Sequence, residues 1–168
     1  MIKAKNLTAI AAATLMSFSV AASADEITRN KIPGSDFPIA QSVQVPGASE
    51  LIFVSGAVPR PIVENGDPND PATYGDTEAQ TVSVLKEVES RLERLGLGMG
   101  DIVMMRAYLV GVPENGGRMD FGGFMRGYTQ FFGTEAQPNL PSRSAFQIAG
   151  LARPGWFVEI EVVAARKP

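Results

Sequence analysis

Trp156-Phe157-Val158-Glu159-Ile160-Glu161-Val162-Val163-Ala164-Ala165 is the stretch from which the fold is read. Its side chains alternate with a period of two, as a pleated strand requires. Trp156, Val158, Ile160, Val162 and Ala164 form one apolar face suited to covering helices. Phe157, Glu159, Glu161 and Val163 form the other. That second face mixes apolar with acidic residues, which suits a subunit interface better than open solvent. Just upstream, Pro141-Ser142-Arg143-Ser144-Ala145-Phe146-Gln147-Ile148 leaves a Pro-rich loop and enters a second strand. Arg143, Ala145 and Gln147 share one side of it, and Ser144, Phe146 and Ile148 the other. If the more apolar set faces the helices, Arg143 and Glu159 lie on the same side of the sheet.

Further upstream the pattern changes period. Within Asp76–Leu95, Ala79, Val82, Leu85, Val88, Leu92 and Leu95 recur at steps of three and four, which predicts a helix with one apolar stripe. Asp76 is a candidate N-cap, Thr77 with Gln80 an alternative capping box, and Gly96 a C-terminal stop. Ile102–Val110 reads as a strand. Met119–Phe132 reads as a second helix, weakened by Gly122, Gly123 and Gly127. Gln41–Val45 and Leu51–Val58 read as a hairpin turning at Pro46-Gly47, after an irregular lead-in over residues 25–40. Pro59–Gly75 is a long polar loop. The predicted order is β-β-α-β-α-β-β, an α+β domain with both helices on one face of one sheet.

The first 24 residues stand apart. A basic start containing Lys3 and Lys5, an apolar run from Leu7 to Val20, and Ala22-Ser23-Ala24 have the three-part order of a signal peptide. The expectation is a protein exported to the periplasm or secreted, with no membrane association once cleaved. Taking Lys3 and Lys5 from 15 basic residues leaves 13 against 18 acidic ones, a net charge of −5 with no basic run. Generic attraction to nucleic acid or to an anionic membrane is thereby disfavoured.

The 168-residue chain contains no His and no Cys. Acid–base chemistry must then rest on Glu, Asp, Lys, Tyr or water, and disulfides are excluded. Arg143 offers a planar fork suited to a carboxylate; a structural ion pair is the alternative role. Glu159 and Glu161 stand about 6.6 Å apart along the strand, a spacing that imitates a glycosidase pair, although such pairs normally come from opposite sides of a cleft. Gly96–Gly100 imitates a phosphate loop but follows a helix and precedes a strand, so it reads as a turn. Asp67–Asp70 lacks the ligand series of a calcium loop. Met104, Met105, Met119 and Met125 read as fillers of core or interface gaps. No metal or other cofactor is expected.

Several segments together resemble the RidA family, also called YjgF. They are Leu51-Ile52-Phe53-Val54-Ser55-Gly56, Glu78-Ala79-Gln80-Thr81, Gly100-Asp101-Ile102-Val103, Tyr128-Thr129-Gln130-Phe131-Phe132, Pro141-Ser142-Arg143-Ser144 and Val158-Glu159-Ile160-Glu161. The resemblance implies a chorismate-mutase-like fold and a homotrimer with sites between subunits. It also implies hydrolysis of 2-imino acids to 2-keto acids and ammonia. By position, Arg143 would hold a small molecule's carboxylate and Glu159 would steer water or a proton, with Ser55 and the Gly56 backbone lining the pocket. Three positions depart from the pattern: Ile39 stands where an active-site Tyr is common, Ala145 where a Cys is frequent, and Met125 where some members carry Asn. These changes make the expected pocket more apolar. The alternative on the same scaffold is a ligand-binding or holdase-type trimer without catalysis. A ribonuclease reading is disfavoured by the net charge and the missing His.

Overall fold

A computed structural model describes residues 26–167; the segment read as a signal peptide lies outside the described residues. The final strand, β7 (Val158–Arg166), alternates as expected. Val158, Ile160 and Ala164 are fully buried and Val162 nearly so, while Glu159 and Glu161 point away from that core. Beside it run β4 (Ile102–Val112), antiparallel, and β3 (Glu50–Ala57), also antiparallel. β6 (Ser142–Ile148) lies parallel to β4 on its other side. A short β5 (Arg118–Met119) pairs with the end of β4.

Two helices cover one face, giving the α+β architecture predicted. α1 (Thr77–Glu93) begins where Asp76 accepts a hydrogen bond from the Ala79 N–H at 2.8 Å. It ends at Gly96, whose φ of +70° lets the Leu97 N–H return to the Leu92 carbonyl at 3.0 Å. Its buried stripe is Val84, Leu85, Val88 and Leu92, whereas Leu95 is 48% exposed beyond the helix. The alternative capping box is not used. Gln80 is wholly buried, donates to the carbonyls of Gly75 and Gly155, and accepts from the Phe157 N–H at 2.7 Å.

α2 (Phe121–Tyr128) is shorter than the predicted 119–132, because Met119 is taken into β5 and Thr129 closes the helix. Its glycines have a packing purpose. A β-carbon on Gly127 would lie 2.7 Å from the Thr81 Cβ, and one on Gly123 would lie 3.2 Å from the Thr77 Cβ. Those residues therefore form the seam along which α2 lies against α1, a gain that offsets their poor helix propensity. Met105 is fully buried in the core, while Met119 and Met125 pack at its edge.

The lead-in is not irregular throughout. β1 (Thr28–Lys31) pairs with β2 (Ala40–Gln44), and the sheet runs β1-β2-β6-β4-β7-β3. The predicted hairpin of β2 with β3 is therefore overturned, since the two strands stand far apart in the order of the sheet. The turn at Pro46 does form, with Ser49 N–H bonded to its carbonyl at 3.0 Å, but a turn signal fixes a change of direction and not a partner. Instead, Ile27, Val43 and Val45 pack with Val103, Met104, Val163 and Ala165 in a second, smaller apolar cluster. Arg29 fastens this flap by donating to the carbonyls of Gly100, Ile102 and Leu140, each at 2.8 Å.

Phe157 also departs from expectation. It precedes β7, its N–H is held by Gln80, and its ring joins the main core at 8% exposure. Alternation counted back past the strand end therefore misplaced it. Trp156 likewise lies outside the strand and meets the edge of Tyr74 at 6.3 Å.

Candidate active site

The register of β6 against β4 decides where Arg143 lies. Arg143 pairs with Met105 and Ala145 with Ala107, and those partners are fully buried on the helix side. Arg143 is thus on the helix side, and Glu159, paired with Tyr108 on β4, is on the other. The two do not share a face within one chain, contrary to the sequence reading. The more apolar set, Phe146 included, faces away from the helices, and Phe146 is 40% exposed.

Around Arg143 the aromatic residues of α2 and the lead-in converge. Its guanidinium carbon lies 4.3 Å from the centre of the Tyr128 ring, 5.0 Å from Phe124, 5.5 Å from Phe37 and 6.0 Å from Phe121. These ring faces attract the cation. No carboxylate pairs with it among the described residues, so the ion-pair role is not what the site displays. Nη1 is buried and without a hydrogen-bond partner, a state that typically costs about 1–3 kcal/mol. Burial pulls the Arg143 pKa below its ordinary value, with Tyr128 opposing the shift. Burial likewise pushes the Tyr128 hydroxyl up to about 12. That hydroxyl donates to the Pro38 carbonyl at 2.9 Å, holding the loop that carries Ile39.

Ile39 and Arg143 come together as expected: both line a cavity of about 360 Å³, with Ile32, Met104, Ser142 and Ser144 among its other walls. Ala145 and Met125 do not line it. Each is half-buried against the main core, Ala145 two residues further along the strand from Arg143.

The remaining candidates assemble elsewhere. A side chain on Gly56 would collide with the Glu159 carboxylate, so the glycine permits the carboxylate to lie against the β3 backbone. Ser55, exposed, lines a depression of about 200 Å³ with Phe53, Arg106 and Glu161. Arg106 and Glu161 pair at 2.6 Å, which holds the Glu161 carboxyl below the usual carboxylate range. A hydrogen bond to Glu161 pushes the Tyr108 phenol up.

Arg106 borders both hollows and was not singled out from sequence. The only available signal was a charge in the apolar run Met104-Met105-Arg106-Ala107. The aromatic surround was also missed, although Phe121, Phe124 and Tyr128 recur at helical spacing. Among the described residues, no group of three or more Asp or Glu is placed to hold a metal ion. Chemically, one part is a partly desolvated cation bordering a cavity of mixed polarity, and the other is a carboxylate laid along a strand backbone.

A sheet with two helices on one face defines an α+β protein, here with a half-buried arginine whose Nη1 has no partner. The family model described as Endoribonuclease L-PSP matches residues 34–166, and the chain belongs to that family, to which the RidA proteins also belong. The 2-iminobutanoate/2-iminopropanoate deaminase of Salmonella typhimurium is 28% identical over 141 residues, 84% of this chain and 97% of the relative. The crystal structure of Escherichia coli TdcF with bound serine is 29% identical with a TM-score of 0.52, covering 83% of this chain and 97% of that one. YyfB of Yersinia pestis, a Rid-family protein, has the same fold at a TM-score of 0.58 and 20% identity, covering 82% and 98%.

Proposed function

We propose that this protein hydrolyses small 2-imino or enamine carboxylates to 2-keto acids and ammonia. The observation that carries the reading is the Arg143 guanidinium, set among four rings with Nη1 buried and unbonded and, among the described residues, no protein carboxylate paired with it. A substrate carboxylate would supply the missing acceptor and the counter-charge together. The name of the Salmonella relative gives the reaction class, and the serine bound to the Escherichia coli relative is a small carboxylate.

An imine carbon is already electrophilic. Hydrolysis adds water across the C=N bond, giving a carbinolamine. The hydroxyl proton then passes to the nitrogen, the C–N bond breaks, ammonia leaves, and the hydroxyl oxygen becomes the keto oxygen. Both protons of the added water end on nitrogen, one at addition and one at collapse, and Glu159 can take and return each in turn. Orientation and proton movement suffice, so the missing His and Cys are no obstacle.

Arg143 and Glu159 lie on opposite faces of one sheet. A working site therefore takes Arg143 from one copy and Gly56 with Glu159 from the next, as in a homotrimer. The helix-free face offers material for that contact: Phe53 is 77% exposed, Leu51 47% and Phe146 40%. We further read residues 1–24 as an export signal, which N-terminal sequencing of protein recovered from the periplasm would check.

The test supplies 2-imino acids from an amino-acid oxidase and traps survivors with semicarbazide. Wild-type protein is expected to speed imine loss, and Arg143→Ala to abolish that effect. Equal activity in the variant would remove the clamp. Saturable binding of 2-keto acids with no acceleration on any imine would instead establish the non-catalytic reading, which the apolar replacement at Ile39 favours.

A further inference from the structure

β3 does not run evenly against β7. Val54 pairs with Val162 and Ala57 with Ile160, so β3 advances by three residues where β7 advances by two. The extra residue makes a bulge at Ser55-Gly56, which locally leaves the ladder and re-aims the backbone. Carbonyls released in this way need new partners. Both find the same one: Arg91 Nη1, from α1, donates to the Ser55 carbonyl at 3.0 Å and to the Gly56 carbonyl at 3.3 Å.

Arg91 is itself held. Its Nε donates to Glu87 Oε1 at 3.0 Å, one helical turn back. The other oxygen of Glu87 accepts from Arg60, whose Nε lies 3.0 Å away. The Glu87 carboxylate is thus fixed by two arginines and fixes one of them over the bulge. On the far side of that bulge, Gly56 has no room for a side chain because the Glu159 carboxylate occupies the space. A path of direct contacts therefore runs from Glu87 through Arg91 and the bulge to Glu159. Neither Glu87 nor Arg91 appears among the residues the sequence assigned to the site.

We propose that Arg91 is a positioning residue: gripped by Glu87, it holds the two carbonyls of the Ser55-Gly56 bulge and so sets Gly56 against Glu159. The inference rests on the hydrolytic reading for its catalytic consequence but not for its structural content. Arg91 touches neither Arg143 nor the cavity at Ile39, so carboxylate capture and proton handling should respond separately to its loss.

The test uses the full-length protein as Arg91→Met, Arg91→Lys and Glu87→Gln, with Arg94→Met as control. Arg94 caps the C-terminus of the same helix, and its side chain bonds to Ser90 Oγ and to neither bulge carbonyl. In Arg91→Met the amide resonances of Ser55, Gly56 and Ala57 should shift and their hydrogen exchange quicken. Arg91→Lys should restore part of the effect and Glu87→Gln should show a weaker form of it. In the trapping assay, kcat should fall on the order of ten- to a hundredfold, while the Kd for 2-oxobutanoate, a non-reactive carboxylate, stays put. Unchanged bulge amides in Arg91→Met would overturn the proposal. So would a parallel loss of kcat and keto-acid affinity with a lowered melting temperature, which is what a purely structural residue gives. Absence of deaminase activity in the wild type would overturn the hydrolytic reading alone, and the amide measurements would then decide the positioning role by themselves.

Discussion

Single side chains at this site can be ranked by what each would leave behind. Glu159→Gln keeps the volume and the fit over Gly56 but removes the proposed base. Turnover should therefore fall at least a hundredfold, the lower range for general acid–base catalysis, with keto-acid binding by calorimetry unchanged. Tyr128→Phe should cost about 1 kcal/mol in urea unfolding, because the Pro38 carbonyl loses its partner. The same change should weaken carboxylate binding less than Arg143→Lys, since the ring beneath the guanidinium remains. The acid limb of stability has a definite sign. Glu87 is held below its ordinary value of 4.5 by hydrogen bonds from Arg60 and Arg91, and Glu161 by one from Arg106. Carboxylates lowered in the folded state contribute fully above that ordinary value and lose the contribution as pH falls through the folded one. Exchange at the Gly56 amide, corrected for the intrinsic pH dependence of exchange, should accordingly loosen below pH 4.5 in wild type. The same step should be missing in Glu87→Gln.

Elements show more sharply what a sequence can and cannot disclose. α1 was legible because its start, stripe and stop are local: Asp76 caps it, Leu85, Val88 and Leu92 recur in phase, and Gly96 ends it. β7 was legible because Val158, Ile160, Val162 and Ala164 keep one face apolar along its length while Glu159 and Glu161 alternate with them. β2 and β3 were both recognised as strands, yet their pairing was not, because partner choice depends on apolar residues far away in the chain. Val43 and Val45 seek Val163 and Ala165, not β3. The face of Arg143 was misjudged for a related reason. A guanidinium on the helix side looks costly from composition alone, and only three-dimensional packing reveals the four rings that accommodate it. Helical glycines were likewise read as weakness, when Gly127 marks a close approach. Gly127→Ala should destabilise by about 1–3 kcal/mol through its clash with Thr81. Gly122→Ala, which meets nothing closer than 3.4 Å, should stabilise by up to about 1 kcal/mol. Thermal unfolding of the pair separates the two roles of one residue type.

For the whole molecule, the helix-free face sets the terms. It carries Phe53, Leu51 and Phe146 in the open together with an Arg106–Glu161 pair, a mixture suited to a contact that excludes water at its centre. Phe53→Asp should lower the sedimentation coefficient toward that of a single chain and abolish turnover without altering the circular dichroism of the helices. Activity retained in a monodisperse monomer would show that one chain makes a complete site. The N-terminal flap adds a constraint of time. Arg29 is fastened to carbonyls 71 to 111 residues further along the chain, and β2 takes its other neighbour from β6. Long loops must close before such contacts are made, which slows their formation. The earliest strand among the described residues is therefore among the last to find its seat, and until then the apolar edge it covers stays open to other chains.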